Sequence, residues 1–122
     1  MPWGIVEMEP EVREWLEGLS SAEFGHVAFY VDLLEEQGSS LGEPYTKQLD
    51  GKLRELRFYV GRQATRITYW IAGGRRIVLL TIFKKTARRE QREVERARRA
   101  LAACVTEEHT LDEEGDDGRA AR

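Results

Sequence analysis

At 122 residues, 41% apolar and 34% charged, the chain is sized for one domain with a buried core and a densely charged surface. It has no apolar run near the roughly 20 residues of a membrane-spanning helix, no basic start or apolar stretch of a secretory signal in its opening MPWGIVEMEP, and no disulfide framework, since Cys104 is its one cysteine. The net charge of −3 excludes little, because it averages over blocks of opposite sign.

In chain order, WGIVEM predicts a short strand. From Pro10, residues Val12, Trp15, Leu16 and Leu19 follow the i, i+3, i+4, i+7 spacing of one buried helix face, interrupted by Gly18 and Ser20-Ser21. Ser20 and Glu23 form an S-x-x-E capping box that opens a second helix. That helix stacks Phe24, Val27, Ala28, Val31 and Leu34 on one side and ends at Gly38. Residues 38–44 read as a loop. From Leu53 the period falls to two: Leu56, Phe58 and Val60 alternate with Glu55, Arg57 and Tyr59. After Gly61, Ile67, Tyr69 and Ile71 stand opposite Arg66, Thr68 and Trp70. Gly73-Gly74 predicts a two-residue hairpin turn. The run IVLLTIF that follows is apolar on both faces, so this strand is central and covered twice.

Three consecutive strands with short connections predict an antiparallel meander, and the whole an α+β domain. Thr86 is placed to cap a last helix with a narrow apolar stripe of Val94, Ala97, Leu101 and Cys104 and with Arg88, Arg89, Arg92, Arg96, Arg98 and Arg99 on its other faces. Cys104 fits that stripe as a small hydrophobe. Residues 107–122 are acidic and nearly devoid of apolar side chains, which predicts a disordered tail beyond a domain of residues 1–106.

Charge divides the chain more sharply than hydropathy does. Residues 1–50 hold two basic and eleven acidic side chains, residues 51–103 fifteen and four, and residues 104–122 two and seven. Local field recruits a polyanion, so the middle block predicts a cationic surface for one, RNA above all. A meander brings Arg57 and Arg66 close together, with Lys84 and Lys85 at one end of the central strand. Clustered cations are costly unless an anion neutralises them, which points to a phosphate site. Glu55 is the carboxylate able to pair with either arginine. Tyr59 and Tyr69 lie among the arginines and are the aromatic candidates for nucleotide contact, whereas the tryptophans suit core positions. His26 and His109 have no Cys or carboxylate cluster at ligand spacing, so no metal site is expected, and no phosphate loop, GxGxxG or nucleophile elbow occurs.

The segments KQLDGKLRELRFY (47–59), RITYW (66–70) and IVLLTIFKKT (77–86), followed by an Arg- and Glu-rich helix, together resemble the RelE/HigB toxin superfamily, in particular its phage Gp49-like branch. The resemblance spans residues 3–104. It implies a type II toxin that cleaves mRNA, usually in the ribosomal A site, and is neutralised by a cognate antitoxin, with matching positions at Lys47, Glu55, Arg57, Arg66, Tyr69, Phe83, Lys84 and Lys85. The implied partners are an adjacently encoded antitoxin of the helix-turn-helix type, mRNA and the ribosome, with no cofactor and no membrane; the setting is the cytoplasm. The chain departs from the family in lacking a histidine in its basic half and in its longer acidic tail.

Under that reading Arg57 and Arg66 stabilise the phosphorane formed when a ribose 2′-OH attacks the adjacent phosphorus. Lys84, Lys85 or Glu55 serves as base, an amine crowded by other cations being the easier to deprotonate. Lys47, Lys52, Arg54, Tyr59, Tyr69, Arg88, Arg89 and Arg92 contact RNA. The acidic tail is placed to fold back over the cationic groove. A ParE-like gyrase poison and a non-catalytic nucleic-acid-binding module are the alternatives on the same fold.

Overall fold

The computed structural model describes residues 1–86 and 90–118. Strand β1 (Ile5–Met8) leads into helices α1 (Pro10–Glu17) and α2 (Ser21–Gln37). Strands β2 (Thr46–Asp50), β3 (Leu53–Val60), β4 (Gln63–Ala72) and β5 (Arg76–Lys84) follow, then helix α3 (Glu90–Gly118). One sheet holds all five strands in the order β1-β5-β4-β3-β2. β2 to β5 form an antiparallel meander, and β1 lies parallel to β5. The α+β architecture expected from the sequence is the one observed, enlarged by β2.

Period-two alternation divides the side chains between two cores. Leu56, Phe58, Ile67, Tyr69, Ile77 and Leu79 pack on the α1–α2 side with Val27 and Leu34 of α2. Leu53, Trp70, Val78 and Leu80 pack on the other side with Ala97 and Cys104 of α3. β5 is thus covered on both faces, as its apolar run requires. The Cys104 sulfur also accepts the Trp70 indole N–H at 3.3 Å.

The helix hairpin forms as its caps dictate. Ser20 Oγ accepts from Glu23 N at 3.2 Å while the Glu23 carboxylate accepts from Ser20 N at 3.1 Å. Gly38 closes α2 at φ +51°, with the Trp3 ring where a Cβ would sit.

Several expectations change. Phe24 is 49% exposed rather than buried: α2 carries apolar residues on most of its circumference, so sequence spacing alone does not fix which side faces the sheet. The hairpin after β4 has three residues, not two, because Ala72 pairs with Arg76 and Gly74 and Arg75 both take positive φ. α3 continues through the acidic stretch to Gly118, where composition predicted disorder from 107. Glu108 there is held by Arg76, which also donates to Glu7 at 3.0 Å. The expected cap at Thr86 adjoins residues 87–89, which lie outside the described residues, as do residues 119–122.

A local irregularity in β5 has larger effects. Thr68 pairs with Thr81 but Tyr69 pairs with Leu79, so Leu80 is an extra residue, a β-bulge. Val78 and Leu80 both face α3, and beyond the bulge the parity of β5 is reversed.

Candidate functional site

Strand register sets out the polar residues of the α3-side face in rungs. One rung runs Lys47, Glu55, Thr68, Thr81 across β2 to β5. The next contains Arg57, Arg66 and Phe83, with Tyr45 beside Arg57, whose N–H donates to the Tyr45 carbonyl at 2.8 Å. The third pairs Tyr59 with Ala64, beside Lys85, whose N–H donates to the Ala64 carbonyl at 2.8 Å.

Arg57 and Arg66 are therefore direct cross-strand neighbours, as the meander predicted. Like charges so placed repel, and Glu55 offsets this: its Oε2 lies 3.6 Å from Nε of each arginine. One carboxylate serves two guanidinium groups, leaving an excess positive charge. Glu55 is 1% exposed and Arg66 5%, while the Arg57 side chain is 28% exposed. Arg57 is the member that reaches solvent.

This cluster is held at an electrostatic cost. Burial pushes the Glu55 carboxyl above its ordinary 4.5, against the opposing pull of Arg66 and Arg57. Burial also lowers the Arg66 guanidinium, against the pull of Glu55. Glu90, at the start of α3, bears on both groups by its charge. Glu55 Oε1 and Arg66 Nε are buried without a hydrogen-bond partner among the described residues. Such groups are rare in folded proteins and mark places where a ligand or a functional constraint acts. Beside them lies a cleft of about 330 Å³ lined by Tyr30, Pro44, Tyr45, Arg57, Phe58, Tyr59 and Arg66.

Other expected site residues fall elsewhere. Lys84 pairs with Thr65, which pairs with Phe58 of the α1–α2 core, so it belongs to the face opposite Arg66; the bulge at Leu80 puts it there. Lys85, half-buried, takes the α3-side parity instead. Tyr69 is fully buried in the α1–α2 core and is no nucleotide contact. Its hydroxyl accepts from Arg54 Nε at 3.3 Å, and Arg54 also donates to Thr46 Oγ1 at 3.2 Å; Arg54 is thereby tied into the packing rather than offered to RNA. Lys47, Lys52 and Arg92 are exposed. Arg88 and Arg89 lie outside the described residues.

The acidic stretch does not approach this site at Glu108, which is bound to Arg76 beside β1. Arg96 bonds Glu11 at 2.5 Å and Glu93 at 2.9 Å, and Arg98 bonds Asp50 at 2.7 Å, so these helix arginines are structural. Tyr30 and Tyr45 were not anticipated. Tyr45 precedes β2, which has no apolar alternation to announce it, and Tyr30 is one of many apolar residues on α2.

Residues 14–102, most of the chain, match the family described as phage derived protein Gp49-like. The chain belongs to that family. No curated protein matches it. Among solved structures this Gp49-like chain is similar to a doubly substituted E. coli toxin RelE in the free state, with a TM-score of 0.57 and 13% identity, covering 79% of this chain and 98% of the other. It is also similar to a protein in an archaeal RelE-RelB complex from Pyrococcus horikoshii, with a TM-score of 0.53 and 22% identity, covering 70% and 97%. At such identities the likeness establishes a shared RelE-type fold, which the Gp49-like chain builds with its own side chains. No His/Cys/Asp/Glu cluster suited to a metal ion occurs among the described residues, and no described helix is long and apolar enough to cross a membrane.

Proposed function

We propose that this Gp49-like chain is the toxin of a type II toxin–antitoxin pair, a metal-free endoribonuclease that cleaves mRNA on the ribosome in the cytoplasm. The observation that carries the reading is the Arg57–Arg66 pair on adjacent strands, sharing one buried carboxylate and opening into a cleft. The RelE-type fold and family membership support it. A RelE-RelB complex among the similar structures supports an antitoxin as partner.

In this mechanism the Arg57 guanidinium binds two phosphate oxygens and gains strength as charge grows on the phosphorane. Arg66, behind it, adds positive potential from a poorly hydrated position. Glu55 is too enclosed to reach a ribose hydroxyl and acts as a positioning residue for both guanidinium groups. Lys47 and Lys85, at opposite ends of the face, are the amines available for proton transfer. Lys84 lies on the other face and is assigned no part.

The test is induction of the chain alone in bacteria, with cleavage of mRNA on purified ribosomes as the molecular readout. Arg57→Ala is expected to lower cleavage about 10²- to 10³-fold, the usual loss for one transition-state donor, and to relieve growth arrest with the fold intact. Lys84→Ala is expected to leave both unchanged. Wild-type arrest with intact mRNA and inhibited gyrase would replace this reading with the gyrase-poison one.

A further inference from the structure

The end of β3 that carries Arg57 lacks a neighbouring strand on one side, and helix α2 stands in for it. β2 pairs with β3 only as far as Leu56, and beyond it the Arg57 N–H reaches back to the Tyr45 carbonyl at 2.8 Å. Alternation turns the Tyr59 carbonyl, two residues on, toward the same margin, where β2 no longer supplies a donor. His26 of α2 supplies one instead: its Nε2 lies 2.7 Å from the Tyr59 oxygen. A carbonyl oxygen only accepts, so this nitrogen carries the proton. The imidazole meets Tyr30 edge to face, 5.4 Å between centroids at 74°, and Tyr30 stacks in turn on Phe58 at 5.6 Å and 18°. The two residues after Arg57 are thus each held by α2, Phe58 through its ring and Tyr59 through its backbone.

We propose that His26 is a positioning residue for Arg57: it takes the place of the missing strand and fixes the β3 end at the height where the guanidinium meets a phosphate. The proposal rests on the functional reading given above and deepens it, by bringing a residue of the acidic half of the chain into the support of the site. A strand end bonded on one side only opens readily, and an arginine that acts by pre-set geometry loses its effect when its backbone shifts. Proton transfer through Nε2 would break the bond to Tyr59, so the imidazole holds the strand rather than serving as acid or base.

The experiment compares His26→Ala with His26→Gln, whose amide offers a donor at much the same reach as Nε2, in cleavage of mRNA on purified ribosomes. The alanine variant is expected to keep its fold by circular dichroism and to lose up to about 10²-fold in cleavage rate, the scale of loss for a displacement of roughly 1 Å. The glutamine variant should restore most of the rate and keep the wild-type pH profile. Hydrogen exchange of residues 57–61, which needs no cleavage, should quicken in His26→Ala, stay as wild type in His26→Gln, and leave the other strands unchanged. Wild-type cleavage by the alanine variant, or unchanged exchange at residues 57–61, would overturn the positioning role. A glutamine variant as slow as alanine, with a limb missing from its pH profile, would overturn it in favour of proton transfer by His26. Quickened exchange in a chain whose wild type leaves mRNA intact would keep His26 as the brace of β3 and remove the nuclease reading.

Discussion

The buried Glu55–Arg66 pair permits a quantitative test through the variants Glu55→Leu, Arg66→Met and their combination. At 3.6 Å, two unit charges attract by about 4–5 kcal/mol at an effective dielectric constant of roughly 20. The raised carboxyl and lowered guanidinium show that loss of hydration outweighs this attraction at both groups. Removing Glu55 leaves Arg66 an uncompensated buried charge and is expected to cost about 3–5 kcal/mol, whereas removing Arg66 leaves Glu55 paired with Arg57 alone and is expected to cost less. Removing both is expected to be neutral or to stabilise by about 1–4 kcal/mol, because Arg57 can turn to solvent.

Acidification separates the two single variants. A carboxyl raised by folding keeps its proton in the native state to higher pH than in the unfolded chain. It therefore lowers stability as pH rises from about 4.5 through the folded value. Loss of the Arg66 charge extends that window upward, so Arg66→Met should regain stability on acidification from pH 7 and Glu55→Leu should not. Urea unfolding at a series of pH values reads both effects. A double variant destabilised by the sum of the two singles would refute the account of these residues as one electrostatic unit.

Two further outcomes concern the scaffold. Ser20→Ala removes half of the capping box and should cost about 1 kcal/mol, read as a fall in Tm of a few degrees. Arg76→Gln breaks its contacts to Glu7 and Glu108; these groups are partly hydrated, so the loss should be about 1 kcal/mol or less and shrink in high salt. A salt-independent loss would assign Arg76 a packing role instead.

The elements read most clearly from sequence are those whose local chemistry is self-sufficient. The capping box, the terminator at Gly38 and the alternation of β3 and β4 each encode their own geometry, and that alternation placed Arg57 and Arg66 on one face. Where the result depended on a partner, the sequence was silent. β2 is polar and short, and β3 supplies the hydrogen bonds that make it a strand. The placement of Lys84 and Lys85 turned on one extra residue at Leu80, indistinguishable in IVLLTIF from its neighbours. Tyr69 shows the converse: its parity with Ile67 already argued for the interior, and its motif position suggested otherwise. The buried state of Glu55 required knowing that α3 lies over that face, which no local pattern conveys.

β1 accompanies β5 only as far as Leu79, so beyond that point β5 pairs with β4 on one side and has no strand on the other among the described residues. Glu11 takes up the Ile82 amide hydrogen at 2.9 Å, and Arg96 donates to the Ile82 carbonyl at 3.1 Å. An incoming strand would find both groups engaged and would have to break an ion pair to dock. A protein made in the cell beside copies of itself is thereby shielded from growing into an extended ribbon along that margin, and the same two side chains that anchor α1 and α3 keep the sheet finite.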